Sequence, residues 1–347
     1  MSRRKVAVAL SGGVDSSVAA ALLKEEGHEV IGVHMKLWRH GPRSEASPGE
    51  NDARAVCDTL GIPFHSLDFS SPFQEHVVNY FCGEYAQGRT PNPCAVCNRL
   101  IKFGLLLQAI NDLGADCLAT GHYARIGVSG GSFHLLKAAR PSVDQSYFLY
   151  TLKQALLPRL LFPLGGYSKA QVRQMAAERG LPVAEKRKSQ DLCFVPEGDH
   201  ERFLRGRITA QPGDIVGPSG EILGRHRGIA FYTVGQRTGL GIATGQRLFV
   251  SRIDPVSNTI FVGPEKDLLA SRLRAGNLSF VCVKPRRALE VSAKIRFRSP
   301  EVSARLKVFS EDAEVDFEEP QRAIAPGQAV VFYRGDEVLG GGIIEAS

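Results

Sequence analysis

Two sets of residues in this sequence have the types and spacing that chemistry requires: a serine- and glycine-rich turn, and three cysteines among basic neighbours. Val6-Ala7-Val8-Ala9-Leu10 is an apolar run of strand length that ends in Ser11-Gly12-Gly13-Val14-Asp15-Ser16-Ser17. Val18, Ala19, Ala20, Leu22 and Leu23 then follow helical spacing up to Gly27. A strand, a glycine turn and a helix in that order bring the unpaired N–H groups of the helix's first turn, two glycines that permit close approach, and the hydroxyls of Ser11, Ser16 and Ser17 around one point. A phosphate fits there. The turn lacks the lysine of a Walker A loop and the spacing of a dinucleotide fingerprint, which disfavours a kinase-like nucleotidase and a dehydrogenase.

Seven cysteines in 347 residues are too few for a disulfide scaffold and odd in number, so reduced thiols are expected. Cys57 falls on an apolar helical stripe with Ala53 and Leu60, Cys82 follows Tyr80-Phe81, and Cys117 and Cys282 lie in strand patterns; these four read as core. The other three differ. Cys94 and Cys97 sit in Gly88-Arg89-Thr90-Pro91-Asn92-Pro93-Cys94-Ala95-Val96-Cys97-Asn98, where two prolines predict an exposed loop ahead of a helix from Arg99. That helix N-terminus, with Arg89, Arg99 and Lys102, is expected to favour thiolate. Cys193 closes Ser189-Gln190-Asp191-Leu192-Cys193-Phe194, just after the basic Lys186-Arg187-Lys188. No second cysteine pair completes four zinc ligands. Two thiols distant in sequence but adjacent in space suit sulfur transfer, one carrying a persulfide and the other attacking it to leave a disulfide.

These residues need elements to hold them. The length allows two or three domains, the 43% hydrophobic content supplies cores, and no apolar run reaches bilayer length, so a cytoplasmic protein is expected. Strand patterns at 29–34, 64–69 and 116–120 alternate with helical patterns at 52–60, 72–85 and 99–113, and Ser168-x-x-Gln171 is a capping box before a helix running to Gly180. That rhythm predicts an α/β domain over residues 1–205, a doubly wound parallel sheet with ligands at the strand C-terminal ends. Glycine- and proline-punctuated short strands predict a small β-rich central domain over 206–273, and alternating runs at 293–297, 304–309, 329–333 and 338–344 predict a C-terminal β-barrel over 274–347. Between Arg272 and Lys307 ten basic residues stand against only Glu290 and Glu301, a face that suits a polyanion unless the acidic stretch 311–319 offsets it.

Taken in order, Ala9 to Ser17, Met35-Lys36, Gly88 to Asn98, Ala119 to Arg125, Asp144 to Leu149, Ser189 to Phe194 and Ala325-Pro326-Gly327-Gln328 resemble the motifs of the tRNA-specific 2-thiouridylases, within the ATP pyrophosphatases that carry an SGGxDS loop. The resemblance spans nearly the whole chain. It implies an adenine-nucleotide-hydrolase-like first domain and ATP-dependent 2-thiolation of the wobble uridine of tRNA, with Mg²⁺ and a persulfide sulfur-donor protein. By that resemblance ATP meets Ala9, Leu10, Ser11, Gly12, Gly13, Val14, Asp15, Ser16, Met35 and Gly121; Cys97 is the nucleophile and Cys193 receives the persulfide. It likewise implies that Asn92, Pro93 and Cys94 meet the target base, and that Val143, Asp144, Gln145, His122, Gln328 and the barrel residues Arg296, Phe297 and Arg298 meet tRNA. Many family members carry Asp where this chain has Cys94. Cys94 is therefore open to three readings: attacking thiol in place of Cys97, fellow ligand with Cys97 and Cys193 of a 4Fe-4S cluster with one open iron, or loop variation. A lysidine synthase or an ammonia-using synthetase would share the loop without needing these thiols, and a tRNA-binding module would hold ATP only as a ligand.

Overall fold

Side-chain alternation in the first two strands decides the architecture of the N-terminal part. Along Lys5–Ala9 and Glu29–Lys36, Ala7, Ala9, Ile31 and Val33 pack on one side against Phe103, Leu106 and Ile110, while Val6, Val8, Leu10 and Val30 pack on the other against Ala20, Leu23, Ala53 and Cys57. A sheet apolar on both faces must be covered twice, the condition that parallel strands with crossover helices meet. In the computed structural model, which describes residues 3–38, 47–186, 192–195 and 199–346, five parallel strands pair in the order Phe64–Asp68, Glu29–Lys36, Lys5–Ala9, Cys117–Ala119, Leu160–Leu161. The winding reverses at Lys5–Ala9, so the crevice opens at the carboxyl end of that strand, where the serine–glycine turn begins. Arg187, Lys188 and Ser189-Gln190-Asp191 from the sequence reading lie outside the described residues, as does 39–46.

The helices start and stop where local chemistry dictates. Pro48–Leu60 is capped by Ser47, whose Oγ accepts from the Glu50 N–H at 3.2 Å, and closes on Gly61 at φ 59°. Lys169–Glu178 carries the expected capping box: Ser168 Oγ accepts from Gln171 N–H at 3.3 Å and Gln171 Oε1 accepts from Ser168 N–H at 2.9 Å. Ser168→Ala orphans an N–H of that helix and is expected to cost about 1 kcal/mol, read as a lower urea midpoint at unchanged slope.

One helix departs from the sequence reading. Asn92 accepts from the Ala95 N–H at 3.2 Å and Pro93 takes the first helical position, so the helix begins before the cysteines and runs through Pro93–Cys97, a π-helical Asn98–Leu106 and Leu107–Asp112. The prolines thus start a helix and do not expose a loop; Asn92, Pro93 and Cys97 are buried. Its length and composition would suffice to cross a membrane, yet half of it is buried in the protein, with Ala95, Phe103, Leu106 and Ile110 in the core beneath the sheet.

The central part is a four-stranded sheet ordered Phe249–Asp254, Thr259–Gly263, Gly213–Val216, Ile222–His226, around Ile215, Tyr232, Val250 and Ile260. Strands Leu269–Phe280, Ala313–Arg322, Val302–Val308, Leu289–Lys294, Ala329–Arg334 and Glu337–Ile344 pair in that order, and the last returns to the first, closing a six-stranded barrel. A hairpin not anticipated from the sequence, Ala124–Ser129 with Ser132–Lys137, turns on Gly130 and Gly131 at φ 57° and 75° and joins the barrel sheet where Leu136 meets Glu337.

The basic stripe of the barrel is compensated in part by the antiparallel register. Arg272 and Lys307 share Asp316 at 2.5 and 3.2 Å, Arg274 pairs with Asp312, and Arg305 stands 3.8 Å from Glu290. The acidic stretch 311–319 therefore faces the stripe it was set against. Among the described residues Lys284, Arg286, Arg287, Lys294, Arg296 and Arg298 remain without an ion pair.

Candidate active site

At the carboxyl end of Lys5–Ala9 a cavity of about 920 Å³ collects the serine–glycine turn, the three cysteines and the barrel's edge. The turn is held by its own hydroxyls. Ser16 Oγ accepts from the Ser11 N–H at 3.2 Å and donates to the Gly13 carbonyl at 3.2 Å, and Ser17 Oγ donates to the same carbonyl at 2.8 Å. The helix Val14–Glu25 starts on Gly13 with no side chain capping it, leaving its first N–H groups for an anion. Asp15 accepts from the Tyr123 hydroxyl and the Lys169 ammonium, both at 2.7 Å, and Lys186 Nζ donates to the Gly12 carbonyl at 2.8 Å. Two lysines distant in sequence thus reach the turn, a feature the sequence reading missed because nothing in 169 or 186 marks it locally. His34 donates from Nδ1 to the Leu10 carbonyl at 2.8 Å, and burial holds it below the ordinary histidine range, so it lines the floor as a neutral ring.

The sulfur side is assembled from two segments. Cys94 and Cys97 lie three residues apart on the new helix; Cys193 is brought in by Phe194, which is 2% exposed and packs edge-on against Phe73, Phe81, Phe203 and Trp38. The thiolate expectation is corrected here. Burial pushes Cys94 up to about 11 and Cys97 up to about 12, and raises Cys193 as well although its side chain is exposed at the cavity mouth. Arg89 is spent on Glu84 at 2.8 Å and Arg99 lies toward Tyr80 and Tyr150, so of the three expected cations only Lys102 bears on the sulfurs. Cys57 and Cys117 are buried core thiols as expected, while Cys82 and Cys282 are half-buried at core edges.

A third wall comes from the other domains. Thr90 N–H donates to the Pro326 carbonyl at 2.7 Å, Gln328 Nε2 donates to the Pro91 carbonyl at 3.4 Å, and Phe297 packs on Phe148 with centroids 4.5 Å apart and the rings tilted by 40°. Asn92 spends Oδ1 on its helix cap and leaves a buried Nδ2 without a partner among the described residues. His122 is half-buried and held neutral, first by desolvation and then by Lys102, and shares a 2.7 Å hydrogen bond with Thr120 Oγ1. Gly121 lies so close to the turn that a Cβ would stand 2.7 Å from the Ser16 nitrogen.

Of the expected site residues, Ala9, Leu10, Ser11, Asp15, Ser16, Met35, Asn92, Pro93, Cys94, Cys97, Gly121, His122, Gln145, Cys193, Phe297, Arg298 and Gln328 line this one cavity. Gly12, Gly13 and Val14 lie within the turn behind that lining. Val143, Asp144 and Arg296 are elsewhere. Asp144 is buried, accepting from the Ala138 and Ser146 N–H groups and the Ser146 hydroxyl, and Arg296 donates to the Arg322 carbonyl at 2.8 Å. Among the described residues no three His, Cys, Asp or Glu side chains converge on a single metal ion.

Comparison with known proteins gives matches along the whole chain. Residues 4–197 match the family described as tRNA methyl transferase HUP domain, 201–264 the tRNA methyl transferase PRC-barrel domain and 270–344 the aminomethyltransferase beta-barrel domain. The chain is 50% identical over 360 residues to tRNA-specific 2-thiouridylase MnmA of Geobacter metallireducens, covering 99% of this chain and 98% of that one. It is 47% identical over 361 residues to the protein of the same name from Pelotomaculum thermopropionicum, covering 100% and 99%. Among solved structures, a 4-thiouridine synthetase–RNA complex with bound ATP overlaps 55% of this chain and 44% of that chain, at 18% identity and a TM-score of 0.37.

Proposed function

Because the chain belongs to the tRNA-specific 2-thiouridylase family, we propose that it replaces the O2 of a tRNA wobble uridine with sulfur at the expense of ATP. The observation that carries this reading is the meeting of an anion-binding turn and three thiols in one cavity. The uracil O2 attacks the α-phosphorus of ATP and pyrophosphate leaves; the freed N–H groups behind Gly13, with Lys169 and Lys186 beside the turn, are aligned to take up its charge. Asp15, the carboxylate at the turn, would hold Mg²⁺ only by giving up its Lys169 partner, and the metal would then neutralise charge on the departing group. A persulfide on Cys193, loaded by a sulfur-donor protein, attacks C2 with its outer sulfur and AMP leaves, after which Cys97 attacks Cys193 Sγ, breaks the S–S bond and frees the 2-thiouridine; alternatively Cys97 attacks the persulfide first, releasing hydrosulfide that displaces AMP from C2. Either route leaves a Cys97–Cys193 disulfide, which an external thiol reduces before the next turnover.

A base reaches this cavity only when splayed from its stack, which favours a single-stranded anticodon loop. The Phe148–Phe297 pair offers a stacking surface, and the unpaired Asn92 Nδ2 offers a donor to a uracil carbonyl. Arg298 at the cavity and the unpaired Arg286, Arg287 and Lys294 supply phosphate contacts. Seven free thiols suit a reducing cytoplasm. Incubation with tRNA, ATP, Mg²⁺ and a persulfide donor, followed by nucleoside mass spectrometry, is expected to show oxygen replaced by sulfur in uridine. Pyrophosphate release with no sulfur gained under these conditions overturns the reading.

A further inference from the structure

Three sulfurs and a neutral histidine share one charged neighbour. Lys102 projects from the π-helical turn that follows Cys97, lines the cavity with Cys94, Cys97, Cys193 and His122, and donates at 3.1 Å to Asn98 Oδ1. Asn98 is 2% exposed and is itself fixed by donating from Nδ2 to the Phe148 carbonyl at 3.0 Å. The clamp sets the ammonium's position but leaves its charge uncompensated, because no carboxylate pairs with Lys102 among the described residues. The other lysine of the cavity wall, Lys36, is neutralised by Glu50 at 3.1 Å. A half-buried cation without a counterion is costly unless an anion arrives to meet it. The charged and titratable groups bearing on the sulfurs are Lys102 and the sulfurs themselves: burial opposes ionisation at all three, neighbouring thiols oppose it at Cys94 and Cys97, and Lys102 is the charged side chain that favours it, joined at Cys193 by a backbone hydrogen bond.

We propose that Lys102, clamped by Asn98, is the positioning residue that holds anionic sulfur in this cavity, acting on whichever of Cys97 and Cys193 carries the thiolate or persulfide charge. The assignment rests on the sulfur-transfer reading above, but its test does not. Thiol alkylation in the full-length protein, followed for each cysteine by peptide mass spectrometry across pH, reads the ionised sulfur without tRNA or ATP. Lys102→Met is expected to slow iodoacetamide capture of Cys97 and Cys193 at pH 8 by about tenfold or more, the equivalent of about one pK unit, and to move both profiles upward. Lys102→Arg is expected to restore most of that rate.

Thiolation of tRNA should fall in step, with the KM for ATP unchanged. A Lys102→Met profile that superimposes on the wild type, or a loss confined to the KM for ATP, overturns the proposal and makes Lys102 a nucleotide contact or a structural residue. Should the Met variant not fold, the wild type still decides. A fixed ammonium favours anionic iodoacetate over neutral iodoacetamide at these sulfurs more than at free glutathione, and an equal ratio counts against it. Wild-type protein that shows the Lys102 effect but never thiolates tRNA would keep this inference and sink the proposed function instead.

Discussion

Cys97→Ser and Cys193→Ser are each expected to abolish 2-thiouridine formation, by on the order of a thousandfold or more, the scale on which removal of a nucleophile acts, while tRNA binding stays close to the wild type. The expectation follows from where the two sulfurs lie. Cys97 is buried on a helix whose start is fixed by Asn92 and Pro93, and Cys193 hangs at the cavity mouth from Phe194, so serine in either place removes sulfur chemistry while the packing that positions the segment persists. Hydroxyl for thiol changes little volume at an exposed Cys193 and leaves the aromatic anchor of Phe194 intact. Nucleoside mass spectrometry for sulfur and a filter-binding assay for tRNA separate the two effects. Full thiolation by either variant would remove its cysteine from the mechanism. Cys94→Ser divides the three readings: activity close to the wild type makes Cys94 loop variation, while loss equal to that of Cys97→Ser makes it a cluster ligand if the anaerobic wild type shows an iron-dependent visible absorbance and the attacking thiol if it does not.

What could be read from the sequence depended on how local the cause was. The turn after Leu10 was legible because strand, glycine pair and helix are contiguous, and so was the capping box at Ser168, whose partners are three residues apart. The parallel sheet followed from apolar runs between helices, although its last strand, Leu160–Leu161, is too short for any period. The helix at Pro93 was misread for a local reason: proline was weighed as a breaker, whereas after Asn92 it occupies the first helical position. The Gly130-Gly131 hairpin carried a recognisable turn that was passed over. Thiol ionisation was misjudged, and the barrel's charge left open, for a different reason, since both depend on what the fold brings alongside. Basic neighbours in sequence became Arg89 paired to Glu84, and a basic stripe became cross-strand pairs with Asp312 and Asp316. Lys102, Lys169 and Lys186 show the converse, cations whose importance rests on partners up to 174 positions away.

Gly12→Ala is expected to reduce tRNA-dependent pyrophosphate release by about a hundredfold or more, in line with the cost of misplacing catalytic groups by about an ångström, while alkylation of Cys97 and Cys193 and binding of tRNA remain near the wild type. Gly12 holds φ at 71°, a region that an L-residue enters at a cost of about 1–3 kcal/mol. A Cβ there would stand 2.3 Å from the Gly49 carbonyl oxygen and 3.0 Å from Asp52 Cβ, and backbone cannot yield as a flexible side chain does. Relief requires the turn to move away from the start of Pro48–Leu60, taking with it the Gly12 carbonyl that accepts from Lys186 and the N–H groups behind Gly13. Gly49→Ala approaches the same contact from the other side at 3.0 Å from the Ser11 carbonyl oxygen and without a positive φ, so a smaller loss in the same direction is expected. The pair of variants separates the halves of the cavity, because activation at the turn fails while the sulfur side stays chemically competent. Wild-type pyrophosphate release from Gly12→Ala would mean that the nucleotide is activated elsewhere, and the serine–glycine turn would be only a turn.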